Sequence, residues 1–221
     1  DTSKVTNMAY MFRNAKAFDG DLAKWQTSSV TTMQTMFEGA DEFSGRGLSN
    51  WNVEQVTDMH RMFGWAKKFN GDVSAWTTTK VTRMSDVFRD TNVFTCDLSQ
   101  WQVGEVTSMS YMFCNAKAFN SDVTGWDVTK VTNMNAMFQS ADAFTGVGLA
   151  SWNVGSVTNM ALMFLKANAF TGVVLASWNV GSVTNMQQMF DDNRAMNGDL
   201  SLWDTSKVTN MAYMFRNAKA F

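Results

Sequence analysis

Apolar and polar positions follow one fixed order that recurs nine times along the chain. A Val is followed by Met three residues on, by a Met–Phe pair at six and seven, by Ala at ten and by Phe at thirteen. After a polar gap come Leu or Val and, three residues later, Trp. In the stretch from Val131 to Phe144 the apolar residues are Val131, Met134, Met137, Phe138, Ala141 and Phe144. Those offsets predict one face of a short helix. Thr132 precedes the first turn, where its hydroxyl would cap the helix start. Polar or small residues at the far end, such as Asn14, Gly39 and Asn115, suit a helix terminus. The second half of each unit is short and rich in β-formers, as in Leu98-x-x-Trp101-x-Val103 and Val123-x-x-Trp126-x-Val128. It predicts one short strand per unit.

The tetrapeptide Val-Thr-x-Met sets the register. Its valines are Val5, Val30, Val56, Val81, Val106, Val131, Val157, Val183 and Val208, spaced by 25 or 26 residues. A period in this range marks a solenoid, in which each coil packs only on its neighbours. The expected fold is therefore α/β, a leucine-rich-repeat-like solenoid. It has about eight to nine coils of 25–26 residues, with one short strand and one short helix per coil. Residues 1–221 read as a single continuous repeat array, a segment of a longer solenoid. Strands stacked about 4.8 Å apart would give a rod or arc of roughly 40 Å.

The apolar ranks define the core. All 17 Phe residues fall on two ranks, with Met196 substituting once, and eight of the nine Trp residues form a third. Met fills two more, with Val87 the single exception. Burying each Phe or Met contributes about 1.5–3 kcal/mol before entropy is counted. Trp65 stands outside every rank and is expected at a helix end, exposed or partly covered. Between the closing Phe and the Trp, the shorter coils carry Asp21, Asp72, Asp97, Asp122 or Asp199, and the longer ones lose the Asp and have Gly47, Gly148 or Val174. The turn thus has two solutions: an Asp side chain bonding its own backbone, or one extra residue, usually with Gly.

Composition narrows the function. The net charge of −2 lacks the basic footprint of a nucleic-acid binder, and no apolar run is long enough to span a bilayer. Proline is absent, as suits a chain in which missing N–H groups would break ladder bonds. Cys96 and Cys114 lie off the repeat and read as free thiols. The only histidine, His60, occupies a variable position, and no phosphate loop, nucleophile elbow, metal-ligand cluster or carboxylate pair is present. The chain is expected to be no enzyme and to need no cofactor or metal.

The pattern Val-Thr-Asn-Met-x-x-Met-Phe-x-x-Ala-x-x-Phe-Asn-x-Asp-Leu-x-x-Trp-x-Val, nearly complete in 106–132 and 131–158, resembles the repeat of BspA-like leucine-rich-repeat surface proteins, a group that includes mycoplasma-type surface lipoproteins. The resemblance covers the whole chain. It implies an extracellular or cell-surface location and a role in adhesion or surface architecture. It supplies no catalytic or ligand residues.

Two polar ranks are the candidate functional surfaces. Gln26, Asn52, Thr77, Gln102, Asp127, Asn153, Asn179 and Asp204 follow each Trp and would pave one sheet face, as a solubilising surface or as a binding face for an extended polymer such as polysaccharide or a matrix protein. Thr6, Thr31, Thr57, Thr82, Thr107, Thr132, Thr158, Thr184 and Thr209 form an unbroken rank, suited to helix capping or, as an outward ladder, to ice binding. Residues 1–18 and 204–221 are identical, which suggests a higher-order period of 203 residues, a long filament and end-to-end self-association.

Overall fold

The computed structural model describes all residues from 1 to 221 and shows a stack of coils, each built almost wholly from turns. The expected helix and strand of each coil are both absent. The only helical segments are three short 3-10 turns, Leu48–Asn50, Leu149–Ser151 and Val173–Ser177. The only strand-like pairing is a series of isolated parallel bridges, such as Asn7 to Thr32 and Asn133 to Asn159. These bridges lie at the third position of Val-Thr-x-Met rather than at the Leu-x-x-Trp segment, so the leucine-rich-repeat-like α/β class is corrected.

The apolar spacing explains the difference. From the first Met of each repeat onward, most pairs of apolar residues three apart are closed by a hydrogen bond between their own backbone groups. In the second coil the N–H of Met36 donates to Met33, Ala40 to Phe37, and Phe43 to Ala40. Further round, Trp51 donates to Leu48 and Val56 to Val53. A β-turn returns both ends to the same side, so a chain of such turns places every apolar residue inward. Two turns per coil have a third residue with positive φ, the signature of a type II turn. Thr35 (φ 58°) and Gly39 (φ 68°) hold those positions in the second coil, Arg61 (φ 56°) and Trp65 (φ 60°) in the third, and Tyr111 and Asn115 (both φ 58°) in the fifth. A residue in the left-handed region every fourth position rules out the α-helix read from Val131 to Phe144.

Those turns aim backbone groups along the stack. In the first coil the N–H groups of Met8, Tyr10, Phe12 and Asn14 donate to the carbonyls of Thr32, Gln34, Met36 and Glu38 at 2.7–3.1 Å. The pattern repeats at every step but the one from the fourth coil to the fifth. In the opposite sense, the N–H of Thr31 donates to Thr6, and its hydroxyl donates to the same carbonyl at 3.1 Å. The threonine rank is therefore stitching between coils; there are no helices for it to cap.

The core is one cluster of 60 buried residues running from Met8 to Met214. Phe rings stack in pairs within a coil, as Phe63 on Phe69 at 3.8 Å, and between coils, as Phe63 on Phe88 at 5.8 Å. The Trp rank is buried from Trp51 to Trp178, with rings nearly parallel, as in Trp51 and Trp76 at 6.4 Å and 2°. Each indole N–H is satisfied by a carbonyl of the preceding coil: Trp76 donates to Leu48, Trp101 to Val73 and Trp126 to Leu98. A buried donor with its own acceptor avoids the cost of an unmade bond.

Both turn solutions are present. Asp97 and Asp122 accept the N–H groups of Ser99 and Thr124, two residues on. The longer coils place Gly47 (φ 83°) and Gly148 (φ 90°) ahead of their 3-10 turns. A Cβ at either glycine would collide with the backbone of the preceding coil at Ala23 or Thr124.

The ladder breaks once. The N–H of Met84 makes no bond to Ser108, and neither the N–H nor the hydroxyl of Thr107 reaches Thr82. The break coincides with a side-chain change. Elsewhere the third residue of Val-Thr-x-Met accepts the N–H two positions on, as Asn133 does from Asn135 and Asp58 from His60. Arg83 has no acceptor atom, and the Ser85 N–H is left unbonded. We expect Arg83→Asn to stabilise the chain by about 0.5–1.5 kcal/mol in urea unfolding, since restored backbone bonds outweigh the exposed Arg83–Asp58 ion pair. In the same variant, hydrogen exchange at Met84 and Thr107 should slow toward the rates of Met59 and Met109. An unchanged midpoint with unchanged exchange would show that Arg83 is not the cause of the break.

Candidate functional site

The eight residues after the Trp rank are all exposed, from Gln26 to Asp204, but they lie on turns rather than on a sheet face. Their side chains are largely committed to the backbone. Asn52, Asp127, Asn153, Asn179 and Asp204 accept the N–H of Glu54, Thr129, Gly155, Gly181 and Ser206, respectively. Gln102 instead reaches the preceding coil and accepts from Thr78. The Thr129 hydroxyl and N–H beside Asp127 hold its carboxyl below the usual carboxylate range. The Ser206 N–H and hydroxyl do the same for Asp204. This rank is a row of side-chain-closed turns whose outer atoms remain available to a ligand.

All nine threonines of the second rank are exposed. Except at Thr6 and Thr107, each hydroxyl proton is donated to the threonine carbonyl of the preceding coil, as from Thr132 to Thr107 and Thr184 to Thr158. That bond accounts for the rank without a ligand. The two thiols are free, Cys114 buried and Cys96 half-buried. Burial pushes the Cys114 thiol up to about 12, so it stays protonated. His60 is half-buried with its N–H bonded to Asp58.

A further cluster gathers around the left-handed residues Trp65, Asp86, Asp90, Tyr111 and Asn115, where the apolar spacing predicts a helix and its end. The Arg89 guanidinium lies 4.7 Å from the Trp65 ring on one side and 4.7 Å from the Tyr111 ring on the other. It thus spans three coils. Its Nη1 donates to Asp86 at 3.0 Å, and the Asp86 side chain is only 6 % exposed. Burial is the largest influence and opposes the charge on Arg89, but the bond to Asp86 and the neighbouring negative charges, Asp86 and Asp90 among them, together outweigh it and raise its pKa. Asn115 donates to Asp90 at 3.0 Å in the same patch. Trp65 is half-covered as expected, and its cover is Arg89, with Arg61 farther off at 5.8 Å, rather than a helix end. The clamp ties the fourth coil to the fifth, the two coils between which the ladder is broken. The off-rank Trp65 was the one signal of it in the sequence.

Arg89→Met should cost about 1–3 kcal/mol in urea unfolding. It removes two cation–π contacts and leaves the buried Asp86 carboxylate with only its longer ion pair to Arg61 at 3.8 Å. Pairing it with Asp86→Asn should recover part of the loss, because the two groups are coupled. Strictly additive losses would show that the two side chains act independently.

Family comparison covers the full length. A family model described as "Mycoplasma protein of unknown function, DUF285" matches residues 1–46, 41–150 and 143–221. No curated protein matches. A solved structure, "Crystal structure of TLR13-ssRNA13 complex", aligns with 87% of this chain and 48% of that chain at 8% identity and a TM-score of 0.15, too low to carry an argument about fold. The chain thus spans about half the length of that structure. No helix is long and apolar enough to cross a membrane. With three overlapping matches that together take in every coil, the chain belongs to the DUF285 family of Mycoplasma repeat proteins.

Proposed function

We propose that this chain is a non-enzymatic structural or adhesive repeat module displayed on the cell surface or in the extracellular space. It presents regular polar ranks to other surface or matrix molecules. One observation carries the reading: an unbroken core from Met8 to Met214 holds side chains of fixed type in register along the stack. Most of the chain is spent on making that register, and the outward positions are what vary between coils. Membership in a Mycoplasma repeat family and the resemblance to surface-protein repeats support the location. Proteinase K treatment of intact source cells, followed by an antibody to this segment, tests it. The segment should be degraded while a cytoplasmic marker survives. Protection until the cells are lysed would overturn the surface reading.

A filament with an eight-coil super-repeat is a second reading, favoured by the identical segments. Residues 1–18 present one face to the second coil, where Arg13 meets Glu38 at 3.5 Å. The same 18 residues at 204–221 present the opposite face to the eighth coil, where Arg216 makes two bonds to Asp191 at 2.6 and 2.9 Å. One sequence thus satisfies both neighbours of a repeating junction. A chain with residues 1–203 in tandem, followed by 204–221, should double its length in small-angle scattering and unfold with undiminished stability. A bend at the junction, or an early transition confined to it, would sink the super-repeat.

A further inference from the structure

The left-handed positions and those two residues beyond them line a groove parallel to the stack. Over the fifth to eighth coils it encloses about 380 Å³ and has no hydrophobic residue in its lining. A second stretch of about 320 Å³ continues it over the last three coils, and Lys166 and Asp192 belong to both. Such continuity suits a linear polymer better than a compact ligand, although each stretch alone has the volume of a small-molecule site.

The charges in the groove fall in a definite order. Lys117 of the fifth coil and Lys166 of the seventh are exposed and have no ion-pair partner, unlike Lys67, which pairs with Asp41, and Lys130, which pairs with Glu105. Between and beside them lie Asp142, which accepts a bond from Asn168 at 3.0 Å, and Asp192, which pairs with the third cation of the lining, Arg194, at 3.8 Å. At a stacking distance of about 4.8 Å the two ammonium groups sit roughly 10 Å apart along the axis, comparable with one disaccharide. The intervening carboxylates would repel a dense polyanion. Asn168 and the unbonded Ser140 hydroxyl suit sugar hydroxyls. The groove has no apolar pocket of the kind that anchors a peptide.

We propose that this groove binds an extended acidic polysaccharide bearing one carboxylate per disaccharide, with Lys117 and Lys166 each taking a carboxylate. The inference deepens the adhesive reading and rests on it, but its test needs only the purified chain. Intact-cell proteolysis can therefore fail while the groove's affinity is still measured. Hyaluronan decasaccharide, with one uronate per disaccharide, is titrated calorimetrically at low salt beside dextran, polygalacturonate and poly-glutamate. We expect saturable binding of hyaluronan that weakens at least tenfold in Lys117→Ala/Lys166→Ala. Both lysines are exposed, so the thermal transition of the variant should stay in place and show that the fold is intact. Absence of hyaluronan binding, equal binding by the variant, equal binding of dextran, or tighter binding of polygalacturonate or poly-glutamate would each overturn the proposal.

Discussion

The architecture depends on where the backbone sends its N–H groups. An α-helix spends them on its own carbonyls four residues back. Here every second N–H across the Met–Phe half of a coil leaves along the stack, as from Tyr10 to Gln34 and from Asn14 to Glu38. That direction requires left-handed residues, and 17 of them are not glycine. Each such residue costs roughly 1–2 kcal/mol, and each ladder bond returns about 0.5–1.5 kcal/mol. The balance is made up by the stacked Phe, Met and Trp ranks, each side chain adding about 1.5–3 kcal/mol on burial. A lone coil has neither ladder nor covered core, so stability comes from adjacency.

The sequence revealed the period, the core ranks and the two forms of the Asp or Gly turn, because all three follow from residue type alone. Trp76 and Phe63 are buried whatever the backbone does between them. Backbone geometry was harder to read, since apolar residues at three-residue spacing satisfy a helix face and a chain of β-turns alike. The Leu-x-x-Trp segments did hold a discriminating clue. Residues three apart on a strand point to opposite faces, yet Leu98 and Trp101 are both buried. β-forming composition was thus overruled by spacing. Asn14, Gly39, Asp90, Asn115, Asp192 and Asn217 recur at one position and tolerate positive φ. Trp65 and Lys166 at that same position hid the rule.

Of the candidate surfaces, exposure was legible and chemistry was not. The residues after each Trp face solvent as read, but their oxygens close turns two residues on, a use that depends on turns the sequence did not show. The threonine hydroxyls point outward in rank and yet give their protons back to the stack. Arg89, Trp65 and Tyr111 belong to three different coils and meet only because the register is fixed. No motif within one coil could announce them.

The same constraint decides where variation is tolerated. At the second left-handed position of each coil the residue contributes its N–H to the ladder and is not buried, so Gly39, Trp65, Asp90, Ser140 and Lys166 make the same backbone bond to the next coil. The ladder therefore exerts little selection on the side chain there, beyond the φ penalty. At Arg83 the opposite holds: the side chain itself must accept a bond, a substitution without an acceptor coincides with a gap, and the Arg89 clamp lies across the same two coils. The positions that build the stack and those free to recognise something else are thus separated by one criterion, whether the fold uses the side chain or only the N–H. By that criterion the proposed recognition surface falls on the left-handed rank and the groove beside it, more than on the turn-closing residues after each Trp.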